Sequence, residues 1–223
     1  GADRGIGLAI ARLHLDEGAK VMICDLVPER VAMAVADLSR HGEVVGETCD
    51  VSNSLEVERL VDLTHSLWDG IDLVVNNAGI ARAESFLDTS VASWDLTMAV
   101  NLRSQFLVGQ AAAQVMVASG RGGAMVNMSS TNGLLGEANL AAYNASKAGS
   151  VLLTKTMAIE LAKYGIRVNS ACPGFINTDL ASEAGENSES IRSHGQNVPM
   201  GRMGEPVEVA YAVSFLLSSR ASF

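Results

Sequence analysis

Apolar residues in this chain gather in short, nearly continuous runs, separated by longer stretches in which they recur every three or four positions. The runs are K-V-M-I-C (20–24), E-V-V-G-E-T-C (43–49), D-L-V-V-N (72–76), A-M-V-N-M (124–128) and R-V-N-S-A (167–171). Runs without a polar face suit parallel strands covered on both sides. The stretches 5–17, 28–41, 53–67, 93–118, 142–164 and 206–218 have the helical period. Ser52 or Asn53 can cap the third of these, and Pro206 suits the first turn of the last. Strand–helix alternation with right-handed crossovers predicts the α/β class: a doubly wound parallel sheet flanked by helices on both faces, as a single domain over 1–223. The polar stretch 179–205, with Gly185, Gly195, Gly201 and Gly204, breaks the alternation and is read as a loop over the substrate.

Composition narrows the partners. The chain has 223 residues, 48% of them hydrophobic, enough for one domain with a full core. Its net charge is −9, with 16 basic and 25 acidic residues and no basic stripe. That excludes nucleic acid and an anionic membrane surface as expected partners and leaves a small-molecule substrate. No apolar run reaches the roughly 20 residues of a membrane helix. Cys24, Cys49 and Cys172 lie far apart in or beside apolar runs, as buried reduced thiols do, which suits a cytoplasmic protein. His14, His41, His65 and His194 share no ligand spacing, so no metal site is expected. A strand is expected before Gly1 and another after Phe223.

The candidate chemistry lies in S-T-N-G-L-L-G-E-A-N-L-A-A-Y-N-A-S-K, which carries Ser130, Tyr143 and Lys147. Tyr143 and Lys147 are four apart and share a helix face. An ammonium beside a phenol favours phenolate, and this predicts a Tyr143 proton affinity lowered toward neutrality. A Ser hydroxyl at a strand end can share a carbonyl oxygen with that phenol. Ser129 is the rival for this role.

Four further motifs accompany the triplet: G-A-D-R-G-I-G at 1–7, N-N-A-G at 76–79, Asn101 within A-V-N-L, and P-G-F-I-N-T at 173–178. Together, in this order and spacing, the sequence resembles the short-chain dehydrogenase/reductase family of classical type, from Gly1 to the end of the chain. The resemblance implies a Rossmann-type fold and an oxidoreductase that moves a hydride between a nicotinamide cofactor and a secondary alcohol or ketone. It implies that Tyr143 is the general acid/base and that Ser130 fixes the substrate oxygen. Lys147 would hold the nicotinamide ribose, with Tyr143 a further cofactor contact, and Asn101 a water linking Lys147 to solvent. An Asn within a helix competes for backbone hydrogen bonds, so a local distortion is expected at Asn101.

For the cofactor, Gly1, Gly5 and Gly7 would form the pyrophosphate turn, lined by Arg4 and Ile6. Asp25, ending a strand, would accept the adenosine ribose hydroxyls and repel a 2′-phosphate, which favours NAD over NADP. Arg4 is the dissenting cation. Asp50 and Val51 match the adenine contact, Asn77, Ala78 and Gly79 the ribose wall, and Pro173, Gly174, Ile176 and Thr178 the nicotinamide contacts. Arg82 to Phe86, Asn132 to Asn139, Asn144 and the 179–200 stretch would wall the substrate. The polarity of Asn132, Glu137 and Asn144 favours a sugar or polyol. The alternatives are a 3-oxoacyl-carrier-protein reductase and a non-catalytic NAD-binding regulator. Apolar helices at 93–118 and 142–164 resemble the family's subunit-pairing helices and imply a homodimer or homotetramer.

Overall fold

In the computed structural model, which describes residues 1–185 and 187–223, every apolar run becomes a strand. They are β1 (Val21–Asp25), β2 (Val44–Thr48), β3 (Leu73–Asn76), β4 (Gly123–Met128) and β5 (Ile166–Ala171). All pairing is parallel. β1 pairs with β2, and β4 lies between β3 and β5. The intervening helices are α1 (Gly5–Asp16), α2 (Pro28–Leu38), α3 (Ser54–Trp68), α4 (Val91–Met98), α5 (Ser104–Ser119), α6 (Ala141–Leu161), α7 (Leu180–Glu183), α8 (Ser188–Asn197) and α9 (Pro206–Leu217).

β4 explains why its sequence lacks a polar face. Ala124, Val126 and Met128 pack with Ile10 of α1 and with Val209, Ala210, Val213 and Leu217 of α9. Met125 faces the other way, into Val74, Ala112, Ala113, Met116, Ile166 and Val168. Successive strand residues point to opposite faces, so both faces carry helices and the strand is apolar but for the buried Asn127, which bonds Asn76 and Thr154.

Local signals fixed the helix ends. Asn53, not Ser52, caps α3, its side chain accepting from Leu55 N–H at 3.1 Å. Pro206 opens α9, where Glu205 and Glu208 form a reciprocal capping box. The expected continuous helix over 93–118 is interrupted: a π-helical turn, Ala99–Arg103, joins α4 to α5 and carries the buried Asn101. The distortion anticipated for an interior Asn is therefore present.

The polar stretch 179–205 is a correction. It is not loop throughout but holds α7 and α8, and Glu186 lies outside the described residues. Short helices poor in apolar residues leave little periodicity to read. The base of this segment is closed by a bridge between Ile176 and Gly204, with Gly204 N–H donating to Phe175 C=O at 2.9 Å. Its α7 end is tied to the segment after β3, where Ala83 N–H donates to Ala184 C=O at 3.1 Å. Among the described residues, no helix is long and apolar enough to cross a membrane.

Candidate functional site

Parallel strands bring their carboxyl ends, and the loops that follow them, to one edge of the sheet. There Asp25, Asp50–Val51, Asn77–Gly79, Ser129–Ser130 and Pro173–Gly174 line a cleft of about 460 Å³. Gly1, Arg4, Gly5, Ile6, Tyr143, Lys147, Ile176 and Thr178 complete its walls among the residues singled out from sequence. Gly7 and Asn101 do not line it. A Cβ on Gly7 would sit 1.9 Å from Gly1 O, so this glycine lets α1 close against the turn and does not itself face a ligand.

The cleft fits a dinucleotide. Gly5 adopts φ 55°, which starts α1 at the cleft wall. The N-cap Arg4 makes no side-chain cap, which leaves the first-turn amides and the helix dipole to an anion such as a pyrophosphate. A Cβ on Gly1 would approach Ala78 Cα to 2.6 Å, which packs the glycine turn directly on the N-N-A-G turn. Asn77 reinforces that junction, donating from Nδ2 to Gly1 C=O at 2.5 Å.

One end of the cleft is charged. Asp25 accepts from Leu26 N–H at 2.7 Å. Arg4 is engaged by carboxylates, with Nη2 2.5 Å from Glu183 and Nη1 3.8 Å from Asp179. Asp50 is held by Ser52, whose N–H and hydroxyl both donate to Oδ1.

The other end is a buried polar lattice. Tyr143, Lys147 and Ser130 are 9, 4 and 8% exposed. Lys147 Nζ donates to Met128 C=O at 2.9 Å and stands 5.6 Å from the centroid of the Tyr143 ring. Ser129, the rival serine, donates its hydroxyl to Lys147 C=O at 2.8 Å and so anchors α6. Ser130 donates to Asn132 Oδ1 at 3.1 Å, and Asn132 Nδ2 donates to Glu137 Oε2 and Asn144 Oδ1 at 2.8 and 3.0 Å.

The expected lowering of the Tyr143 proton affinity is not what the structure has. Burial pushes the phenol above its ordinary value, the Ser130 hydroxyl opposes that shift, and Glu137 adds to it. Burial also pulls the Lys147 ammonium down to about 8, against a smaller opposing effect of Cys172. A lysine whose own charge is costly, turned onto a carbonyl, exerts little pull on its neighbour.

Asn101 has a structural role of its own in the fold. Its Oδ1 accepts from Ile80 N–H, and its Nδ2 donates to Ile80 C=O, both at 2.8 Å. It thereby clamps the segment after β3. A Cβ on Gly79 would lie 3.4 Å from both Asn101 Oδ1 and Lys147 Nζ, so glycine lets the two side chains close around that backbone.

Sequence reasoning missed three residues. Ser146 receives Asn101 Nδ2 at 3.1 Å, and Gln105 Nε2 donates to Met128 C=O at 3.1 Å, the same carbonyl that takes Lys147. Helical spacing was the available signal, because Gln105 follows Asn101 by four and Ser146 follows Tyr143 by three. The third is Asp3, within the glycine turn and facing the cleft beside Asp25.

A family model described as Enoyl-(Acyl carrier protein) reductase matches residues 1–223. The 3-oxoacyl-[acyl-carrier-protein] reductase FabG of Aquifex aeolicus (strain VF5) is 38% identical over 226 residues, covering 100% of this chain and 90% of that protein. The (3R)-3-hydroxyacyl-CoA dehydrogenase of Mus musculus is also 38% identical, over 100% of this chain and 89% of its own length. A crystal structure of a short-chain type dehydrogenase/reductase from Mycobacterium marinum superimposes with a TM-score of 0.94 at 32% identity, covering 100% of this chain and 88% of that one.

Proposed function

This chain belongs to the short-chain dehydrogenase/reductase family and is an NAD(P)-dependent oxidoreductase acting on CH–OH groups; on that premise we propose that it works with NAD(H) on a secondary alcohol or ketone of a sugar or polyol. The observation that carries the reading is one cleft with Ser130, Tyr143 and Lys147 at one end and Asp25 at the other. When bound, the nicotinamide supplies the hydride acceptor or donor. The chain supplies alignment and proton handling. Ser130 and Tyr143 hold the substrate oxygen between two hydroxyls, and Lys147 holds the nicotinamide ribose. A phenol kept protonated by burial is ready to donate to the oxygen of a ketone being reduced; oxidation needs that proton removed first.

Asp25 supports NAD, since its carboxylate suits a ribose diol and opposes a 2′-phosphate. The Asn132–Glu137–Asn144 network beside Ser130 supports a hydroxyl-rich substrate, with 179–205 as the segment that covers it. Exposed apolar side chains on α5 and α6, among them Phe106, Leu152 and Ile159, support pairing as a homodimer or homotetramer. Cys24, Cys49 and Cys172 as free thiols support a cytoplasmic setting.

A second reading has its own support. Full-length similarity to a 3-oxoacyl-carrier-protein reductase and to a 3-hydroxyacyl-CoA dehydrogenase favours an acyl thioester substrate. NADH absorbance distinguishes the two. Polyols, sugars and 3-hydroxyacyl thioesters are offered in turn with NAD and with NADP. The first reading expects the highest kcat/KM for a polyol or sugar with NAD; a thioester preferred over every polyol overturns that substrate assignment.

A further inference from the structure

We propose that Asp3 is a second determinant of cofactor choice: a carboxylate that shares the adenosine ribose site with Asp25 and, by occupying Arg4 and Arg30, shuts out a 2′-phosphate. The proposal rests on the NAD reading above and extends it to a residue with no role there.

Arg4 and Arg30 both line this end of the cleft. Two guanidiniums beside an adenosine ribose would ordinarily make a receptor for a phosphate monoester, because each can fork onto its oxygens. Here Asp3 stands between them. Its Oδ1 lies 3.9 Å from Arg4 Nε and its Oδ2 lies 3.7 Å from Arg30 Nη1. The Asp3 side chain is only 7% exposed, whereas those of Arg4 and Arg30 are 39 and 49% exposed. The acid is thus the buried member of the group and the cations are the exposed ones. Glu183 and Asp179 of the overlying segment take the remaining face of Arg4.

Asp3 also sits against Asp25. Burial raises its proton affinity first, and the charge and hydrogen bond of Asp25 raise it further, as expected of two carboxyl groups within reach of one another. A ribose diol suits such a pair, because it offers two hydroxyl donors to two acceptors. A 2′-phosphate removes one donor and brings a charge of roughly −1.5 to −2 against both acids. The cations that would receive it are already paired.

The test uses the adenosine halves of the two cofactors, 5′-AMP and adenosine 2′,5′-bisphosphate, titrated calorimetrically into the parent, Asp3→Asn, Asp3→Ser, Asp25→Ala and the Asp3→Asn/Asp25→Ala double variant. Thermal melts verify folding. Neutralising an acid that is costly to ionise should not destabilise the turn, and the serine variant serves if the asparagine variant fails to fold. The expected result is that Asp3→Asn raises the affinity ratio of bisphosphate to AMP about tenfold, that Asp3→Ser moves it the same way, and that the double variant exceeds either single one. If both Asp3 variants stay within about twofold of the parent ratio while Asp25→Ala shifts it, Asp3 only holds the turn; the inference falls and the NAD reading stands. If the parent itself binds the bisphosphate as tightly as AMP, the NAD reading falls and takes the inference with it.

Discussion

At one end of the cleft Lys147 is 4% exposed and its ammonium meets a backbone carbonyl; at the other, the side chain of Arg4 is 39% exposed and meets carboxylates. The proposed catalytic end is built from β4 and α6, with Ser129, Gln105 and Lys147 all tied to Met128 or to the α6 backbone. The adenosine end is built from the glycine turn, β1 and the start of α2, where the partly exposed Arg4 and Arg30 face the largely buried Asp3 and Asp25. Burial makes charge expensive and geometry exact, which suits proton transfer. The partial exposure of Arg4 and Arg30 makes their charge cheap and adjustable, which suits a choice between two cofactors that differ by one phosphate.

The sharpest way to break the comparison is Lys147→Met. It empties the buried end of its cation, and turnover should fall about a thousandfold with NAD binding also weakened. A loss below about tenfold would show that the lattice works without it.

The next effect is thermodynamic. Burial holds Lys147 at about 8 in the fold against an ordinary value of 10.5, so between these pH values the folded protein binds fewer protons than the unfolded chain. The penalty for burying the ammonium is fully in force below about 8 and is relieved as pH rises toward 10.5. The parent should therefore gain up to about 3 kcal/mol over Lys147→Met between neutral and strongly alkaline pH, by urea unfolding of the cofactor-free proteins. Parallel stability curves for the two would contradict this.

At the exposed end the effects are smaller. Asp25→Ala should weaken NAD more than NADP and move their kcat/KM ratio by about tenfold, and an unchanged ratio would remove Asp25 from the ribose site. Salt sharpens the contrast further. Raising ionic strength from about 0.05 to 0.5 M should shift the NAD-to-NADP ratio by about threefold, because exposed charges are screened. The Lys147 linkage should persist at both strengths, and its loss in salt would mean that the two ends do not differ in kind.

This contrast also separates what the sequence revealed from what it hid. Strands were legible because burial on both faces left them few polar positions, as at Ala124, Met125, Val126 and Met128. The caps at Asn53 and Pro206 were legible because their chemistry is local. So was the break at Asn101, although its clamp on Ile80 was not, since Ile80 comes from a different element. The direction of the Tyr143 shift was misjudged because adjacency on a helix says nothing of desolvation. Only the packed structure shows Lys147 turned to Met128 and the phenol buried. Asp3 went unnoticed because its importance comes from Asp25, Arg4 and Arg30, which reach it through folding. The helices α7 and α8 lacked the apolar stripe that makes a helix visible in sequence.

The proposed proton carrier of the nicotinamide-linked reaction is one phenol, that of Tyr143. That role is tested most directly by measuring NAD binding and turnover in the same preparation of Tyr143→Phe. Removing one hydroxyl while Lys147, the glycine turn and Asp25 remain to hold the cofactor should leave NAD affinity within about threefold of the parent while turnover drops by at least about a hundredfold. Turnover within about tenfold of the parent, with NAD still bound, would contradict the account.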